Sequence, residues 1–305
     1  MSNKLIKHEL GFLQINPKPS VSELEEYYSK LYYHGGDSGT SIDNQEVKTS
    51  DNKLNYSNEE LSWIKTKISQ RASIVDNYIN CKNGKLLDVG CGEGFVMKHF
   101  YDKSWSIEGI DFSEYGISSV NPDLLDFFQK GDVIQIIEAK IKNLDKFDVI
   151  WLGNVLEHVI DPINLLKRLK LLLNSEGSIV ITVPNDGSSY QELLLNKKYV
   201  NKDWWITPPD HISYFSYNSL INIANHTGYD CLDLIADFPI DFFLLNSGSN
   251  YVNNPKLGKD AYNARVELEN FISKAPIEII NSFYKNLAQL GLGRTLTIFI
   301  TPSKT

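Results

Sequence analysis

The chain has 305 residues, of which 42% are hydrophobic and 22% charged, and it carries a formal net charge of -8. That composition supplies a large core. An acidic balance without a basic run argues against a nucleic acid or an anionic membrane surface as partner. Three widely spaced cysteines without a CxxC pair exclude a disulfide framework and a cysteine zinc site. No stretch approaches the roughly 18 apolar residues of a membrane span, and the opening MSNKLIKHELGFLQ is too short in apolar residues for a secretory signal. A soluble, cytoplasmic enzyme is expected.

In chain order, ELGFLQINP reads as a short strand. A helix follows from Ser20 to about Tyr33, started by Ser20 as N-cap with Glu23 three residues on. Residues 34–58, rich in Gly, Asp, Asn and Ser, read as a loop. Leu61, Ile64, Ile68, Ala72 and Val75 at helical spacing predict a second helix over Asn58–Asn80.

From Lys85 short apolar runs alternate with helical stretches, the signature of a parallel sheet. KLLDVG, SIEGID, FDVIWL and GSIVITVP are the clearest strands, and LLDFFQKGD is a weaker one. Helices are predicted near Gly94–Tyr101, Ser113–Val120, Pro162–Leu173 and Tyr217–Thr227. YDCLDLIA is a sixth strand and RTLTIFIT the last. Between these two, residues 237–292 carry helices near Tyr262–Ser273 and Pro276–Leu290. The division is then a helical cap over 1–80, a cofactor-binding core over 81–236, an inserted lid or oligomer contact over 237–292, and a closing strand over 293–305. No internal repeat or low-complexity tract is present.

LLDVGCGEGF, residues 86–95, places Gly90, Gly92 and Gly94 in a turn from a buried strand into a helix. Glycines belong where the backbone takes unusual dihedrals and a ligand approaches the main chain. An ordinary strand-to-helix turn has the same composition. Asp111 ends the next strand, 23 residues after Asp88, where a carboxylate accepts from ribose hydroxyls; as a helix N-cap it would look alike. Gly131-Asp132-Val133 follows the third strand and Asn154-Val155-Leu156-Glu157-His158 the fourth. Four polar sites after four successive strands point to one ligand crevice.

These residues resemble the class I S-adenosylmethionine-dependent methyltransferase family, in particular members with DVGCGxG, an acidic second-strand end and an LEH segment. The resemblance runs from about Lys85 to Ala236, and RTLTIFIT fits its closing strand. It implies a Rossmann-like, doubly wound, seven-stranded α/β sheet that binds S-adenosylmethionine. On that likeness Gly90 and Gly92 lie against the methionine part, Asp111 holds the ribose, Phe112 packs on the adenine and Asp132 binds its amine. Asp88, Cys91, Val133 and Asn154 complete the expected cofactor set. INPKPSVSELEEYYSKLYY and LAQLGLGRTLTIFI also resemble members that modify sugars or other small polar molecules. Some relatives carry an N-terminal zinc-binding cysteine cluster; this chain lacks it, so no metal role carries over. A nicotinamide dehydrogenase would need its third glycine at the position of Phe95.

Methyl transfer to oxygen or nitrogen needs alignment and a base, and histidine suits the latter. His158 ends the LEH segment, and His211 lies in ITPPDHISYF after the fifth strand; these are the candidate catalytic residues. Tyr190, Trp205 and Tyr214, with Trp204, are candidates to line the acceptor pocket, or else to serve as packing. Tyr27, Tyr28, Tyr32 and Tyr33 are placed to cover the cofactor. Arg71 would pair with its methionine carboxylate, or else lie in solvent. The expectation is a methyltransferase for a small polar or sugar-type acceptor, with a homodimer allowed. The alternative is a non-catalytic cofactor-binding or scaffolding protein on the same fold.

Overall fold

The computed structural model describes residues 4–20, 22–24, 26–27, 56–79 and 81–304. The opening holds two strands where one was expected. β1 (Lys4–Lys7) and β2 (Leu13–Asn16) pair antiparallel around a turn in which Gly11 takes φ +94° and donates its N–H to the His8 carbonyl. The expected capping box at Ser20 is present: the Ser20 N–H donates to Glu23 Oε2 at 2.7 Å, and the Glu23 N–H to Ser20 Oγ at 3.3 Å. Residues 22–24 and 26–27 are helical. The rest of that helix, with Tyr28, Tyr32 and Tyr33, and most of the expected loop lie outside the described residues.

Helix α1 (Asn58–Tyr78) starts one residue after Ser57, which forms a reciprocal capping box with Glu60. Its apolar stripe, Trp63, Ile68, Ala72, Ile74 and Val75, is buried.

The core follows as β3 (Lys85–Val89), α2 (Phe95–Tyr101), β4 (Ser106–Asp111), α3 (Tyr115–Val120), β5 (Phe128–Lys130), α4 (Val133–Lys142), β6 (Phe147–Gly153), α5 (Pro162–Leu172), β7 (Leu173–Pro184), α6 (Ser189–Asn196), β8 (Ser213–Tyr214), α7 (Tyr217–His226), β9 (Tyr229–Ala236), α8 (Gly258–Ile272), α9 (Ile277–Gln289) and β10 (Thr295–Pro302). Helix α4 was not expected, although Val133, Ile136, Ile137 and Lys140 bury one face at helical spacing. LLDFFQKGD divides into a 3-10 turn over Pro122–Phe127 and the three-residue β5.

Seven strands form one sheet in the order β5-β4-β3-β6-β7-β10-β9, and β10 runs antiparallel to β7 and β9. Leu86, Leu87, Val89, Ile107, Ile110, Val149, Ile150, Leu152 and Ile179 are all buried, because helices cover both faces of the sheet. Strand β3 has β4 on one side and β6 on the other. The chain therefore reverses its direction of travel across the sheet at β3, and the crevice above such a reversal is where open α/β sheets bind ligands.

Two additions frame that edge. Strand β8 pairs with β2, so the N-terminal hairpin holds the segment that leads to β8. The insertion, with 3-10 turns at Ile240–Leu245 and Pro255–Leu257, packs α8 on α1 and α9 on β9. Among the described residues, no helix is long and apolar enough to cross a membrane.

Candidate functional site

At the carboxyl end of β3 the backbone turns sharply: Gly90, Gly92 and Gly94 take φ of +71°, +52° and +74°. The Gly90 and Cys91 N–H groups both donate to the Ile110 carbonyl, at 2.8 and 3.1 Å, which ties the turn to β4. A side chain at Gly90 would strike Val155 Cγ2 at 2.5 Å, whereas one at Gly92 would meet no atom within 4 Å. The first glycine serves packing, and the second leaves open room above the turn.

Asp111 faces this turn from the end of β4. Its Oδ2 accepts from the Gly92 N–H and its Oδ1 from the Ser113 N–H, each at 3.0 Å. Burial raises its carboxyl, and the backbone N–H groups pull the other way. Asp88 lies beneath, only 3% exposed; burial, and then the Asp111 charge, push its carboxyl up to about 8. Cys91 is buried, and burial with the charges of Asp88 and Asp111 drives its thiol far up, which makes it a packing group and not a nucleophile.

Along the same edge, the Phe112 ring is 45% exposed. Asp132 is the N-cap of α4, its Oδ1 accepting from the Gln135 N–H at 2.7 Å, and Val133 is that helix's buried first residue. Asn154 is exposed at φ +55°, with its N–H donated to the Thr182 carbonyl. Sequence reasoning missed Tyr56, just before α1. Its hydroxyl donates to Glu93 Oε1 at 3.2 Å and its ring meets Phe95 edge-on at 5.5 Å, so the start of α1 sits on the glycine turn.

Arg71 does not lie free in solvent. Its charged neighbours are Asp237, Glu269 and Arg265, and burial is the leading influence on it. Asp237 follows β9 at the same edge of the sheet. Its Oδ1 accepts from the Arg294 and Thr295 N–H groups, at 2.7 and 2.8 Å, while Oδ2 meets Arg265. Glu269 accepts from Trp63 Nε1 at 2.7 Å, Arg265 Nε at 3.0 Å and Tyr284 Oη at 3.0 Å. Lys67 approaches both carboxylates, at 3.7 and 3.9 Å. Among the described residues, Lys67, Arg71 and Arg265 thus gather around Asp237 and Glu269.

On the other side of the crevice, the structure brings His158 and His211 together, with ring centroids 4.9 Å apart at 80°. The Ile212 and Ser213 N–H groups donate to the Glu157 carbonyl at 2.8 and 3.1 Å, and this places the 204–212 segment over the end of β6. His158 Nδ1 lies 2.8 Å from the Asp210 carbonyl and 3.2 Å from its Oδ1, so that nitrogen carries a proton. Burial opposes the charge on His158, but Asp210 and Glu157 outweigh it and push the imidazole up to about 9. The Glu157 side chain is 1% exposed, and among the described residues neither carboxylate oxygen has a hydrogen-bond partner. His211 Nδ1 is likewise buried without a partner, 3.7 Å from Asp186 Oδ2. Sequence reasoning places Glu157 at the crevice only as part of the segment after the fourth strand and does not single out Asp186 or Asp210, though Asp210 stands beside His211 in the chain.

The aromatics divide. Tyr214 is buried, and its hydroxyl is used within the loop: it donates to the His211 carbonyl at 3.0 Å and accepts from the Thr207 N–H at 3.3 Å. Trp205 packs edge-on against it at 5.7 Å, while Tyr190 meets Phe242 edge-on at 5.3 Å. The Tyr190 hydroxyl and both Trp204 and Trp205 Nε1 atoms are buried without hydrogen-bond partners.

The chain is 27% identical to a ubiquinone biosynthesis O-methyltransferase of Stutzerimonas stutzeri, over 43% of this chain and 57% of that protein. It is 30% identical to one of Colwellia psychrerythraea, over 54% of this chain and 70% of the relative. Its fold is similar to the solved structure of the plantazolicin methyltransferase BamL, in complex with a triazolic desmethylPZN analogue and SAH: TM-score 0.51, 18% identity, 93% of this chain and 97% of that one. Residues 64–234, more than half of the chain, match the model of the methyltransferase domain, and the chain belongs to that family.

Proposed function

We propose that the chain transfers a methyl group from S-adenosylmethionine to an oxygen or nitrogen of a small polar acceptor. The observation that carries this reading is the pairing of Asp111 with the Gly92 N–H beneath an open space where no atom meets a side chain at Gly92. A fixed carboxylate beside a bare backbone turn suits a ribose with a polar tail. The cofactor, when bound, supplies an electrophilic methyl on a sulfonium.

In this reading Asp111 accepts from the ribose hydroxyls and the exposed Phe112 ring covers the adenine. Asp132 keeps one oxygen on its cap and offers the other to the adenine amine. Gly90, Cys91 and Gly92 line the methionine portion with backbone, above the buried Asp88, and Val133 and Asn154 border the base and the methyl end. Lys67, Arg71 and Arg265, gathered around Asp237 and Glu269, draw the methionine carboxylate to this edge, with Arg71 as the partner. The acceptor occupies the side of His158 and His211, with Tyr190 and Trp205 as its expected lining. His158 already holds a proton, which leaves His211 to receive the acceptor's. Tyr214 acts through His211 by fixing its loop.

The relatives' names speak of ubiquinone biosynthesis and lend no support to a sugar acceptor. Calorimetry should detect S-adenosylmethionine binding. Asp111→Ala should weaken it by ~1.5–3 kcal/mol, roughly ten- to a hundredfold. An unchanged dissociation constant would remove the ribose assignment.

A further inference from the structure

Glu157, His158 and His211 each offer one ligand atom, and these three atoms lie within 4.8 Å of one another. From this we propose that they form a binding site for a borderline divalent transition-metal cation, such as Zn2+ or Co2+, which holds the acceptor oxygen; the role at the acceptor rests on the methyl-transfer reading above.

Three observations carry it. Glu157 is 1% exposed, yet both its carboxylate oxygens lack a hydrogen bond. A buried carboxylate is costly unless it is paired or coordinates a metal. His158 is set as ligating histidines are: Nδ1 is directed at the Asp210 carbonyl and Oδ1, and Nε2 faces Glu157 Oε1 at 3.8 Å. The hydrogen bond on one ring nitrogen orients the ring and aims the other at the cation, which displaces the proton that nitrogen carries in the charged ring. Finally, His211 carries a buried ring nitrogen without a partner. Two imidazoles and one carboxylate are three protein ligands of intermediate softness. Such a set suits zinc, manganese or ferrous iron, and it leaves positions open for water or substrate.

The spacing needs modest closure. Metal–ligand bonds of about 2.0–2.2 Å place neighbouring donors roughly 3–3.5 Å apart, under the 3.8 Å between His158 and Glu157 and under the 4.8 Å that bounds all three atoms, so the donors must draw together on binding. The cysteine pattern gives no hint of this site, because His211 reaches it only through the fold.

The cation would change how the acceptor is activated. An oxygen bound to it loses its proton to water more readily. That oxygen then forms its bond to the methyl carbon as the carbon–sulfur bond breaks, the electron pair staying on sulfur. The products are the methylated acceptor, the thioether and one proton. With the cation bound, His211 serves as a ligand and the proton goes to water; the role of His211 as proton acceptor described above belongs to the cation-free chain.

The test uses the full chain stripped with a chelator, and its readout is binding. Titration with Zn2+ followed by calorimetry, and with Co2+ followed by its visible absorption, should show one site with nitrogen and oxygen ligands. Glu157→Gln and His211→Ala should abolish that site, and Asp210→Ala, which removes the carboxylate beside His158, should weaken it by roughly ten- to a hundredfold. His226→Ala, on α7, should leave it intact. Circular dichroism and S-adenosylmethionine calorimetry on the same samples report whether each variant folds. If the wild type takes up no cation, or if folded Glu157→Gln and His211→Ala bind it as the wild type does, the proposal is overturned. Cation binding without cofactor binding would instead count against the methyl-transfer reading alone. Cofactor binding without cation binding would overturn the metal site alone.

Discussion

The two sides of the ligand edge are built in different ways. The glycine side is made by one strand, its turn and the end of the neighbouring strand, and backbone N–H groups make its decisive contacts, with Asp111 and Ile110 as acceptors. The histidine side draws Glu157 and His158 from after β6, Asp186 from after β7, and Asp210 and His211 from the segment before β8. That segment is held by the Glu157 carbonyl and by strand β2. The buried ionic network is assembled similarly, from α1, the end of β9, α8 and α9. The first side is fixed by local chain geometry. The second depends on packing between distant segments, so mutations should separate them.

The largest effect belongs to the network. Arg265 is 1% exposed and bridges Asp237 and Glu269. Arg265→Met leaves two buried carboxylates short of a partner, which should cost roughly 3–5 kcal/mol of stability. Urea unfolding measures it. A loss below about 1 kcal/mol, the range of surface pairs, would mean that Lys67 and Arg71 alone balance the carboxylates.

Next comes the pH response of the glycine side. Burial and the Asp111 charge raise the Asp88 carboxyl from 3.8 to about 8. Between those values the native chain keeps a proton that the unfolded chain has released. The group's contribution to stability is therefore intact below 3.8 and drains as pH rises toward about 8. Asp88→Asn is neutral throughout and should remove this slope, worth roughly a few kcal/mol across the window. Thermal midpoints of both proteins over that range decide; parallel curves would place the proton elsewhere.

A smaller pair of effects separates packing from ligand room. Gly90→Ala drives a methyl into Val155, which should cost roughly 1–3 kcal/mol beyond the left-handed strain it shares with Gly92. Gly92→Ala pays only the left-handed backbone strain, roughly 1–2 kcal/mol, but its methyl enters the open space and should weaken cofactor binding about tenfold or more, ~1.4 kcal/mol. Calorimetry and melting on both variants check this. Equal cofactor affinity in Gly92→Ala would mean that the ligand does not approach that turn.

The same contrast explains what was legible in the sequence. The β3–β4 strands, the glycine turn and Asp111 lie in one short window where strand ends and glycines specify their own geometry. YDCLDLIA coincides with β9, whose last three residues, Leu234, Ile235 and Ala236, form a buried apolar end that the sequence shows directly. Helix α4 is hidden behind Gly131-Asp132-Val133, which reads as the segment after a strand, although the buried Val133, Ile136, Ile137 and Lys140 follow a helical period. Strand β1 and helix α6 were missed as well; α6 had a visible signal in the Ser188–Gln191 capping box. Both histidines were singled out one at a time, but nothing in the spacing of residues 158 and 211 says that their rings meet. Arg71 could be read as solvated or as functional, and only the fold gives it Asp237 and Glu269 as neighbours.

The smallest predicted effect is the most local test of the assembled side. Tyr214 donates to the His211 carbonyl and accepts from the Thr207 N–H, so its hydroxyl closes the loop that presents the His211 ring. Tyr214→Phe keeps the ring packed on Trp205 and removes only these bonds, which should cost ~1 kcal/mol of stability. The Thr207 N–H and the His211 carbonyl then lose one partner each, and the imidazole is held less tightly. If Tyr214 acts through His211, kcat should fall about fivefold, the equivalent of ~1 kcal/mol, while S-adenosylmethionine affinity stays unchanged because the glycine side does not depend on this loop. A rise in acceptor KM at constant kcat would instead mean that the hydroxyl contacts the acceptor directly. Equal losses of cofactor and acceptor binding would show that the two sides are not independent, and the contrast between local and assembled halves would then fail at its weakest link.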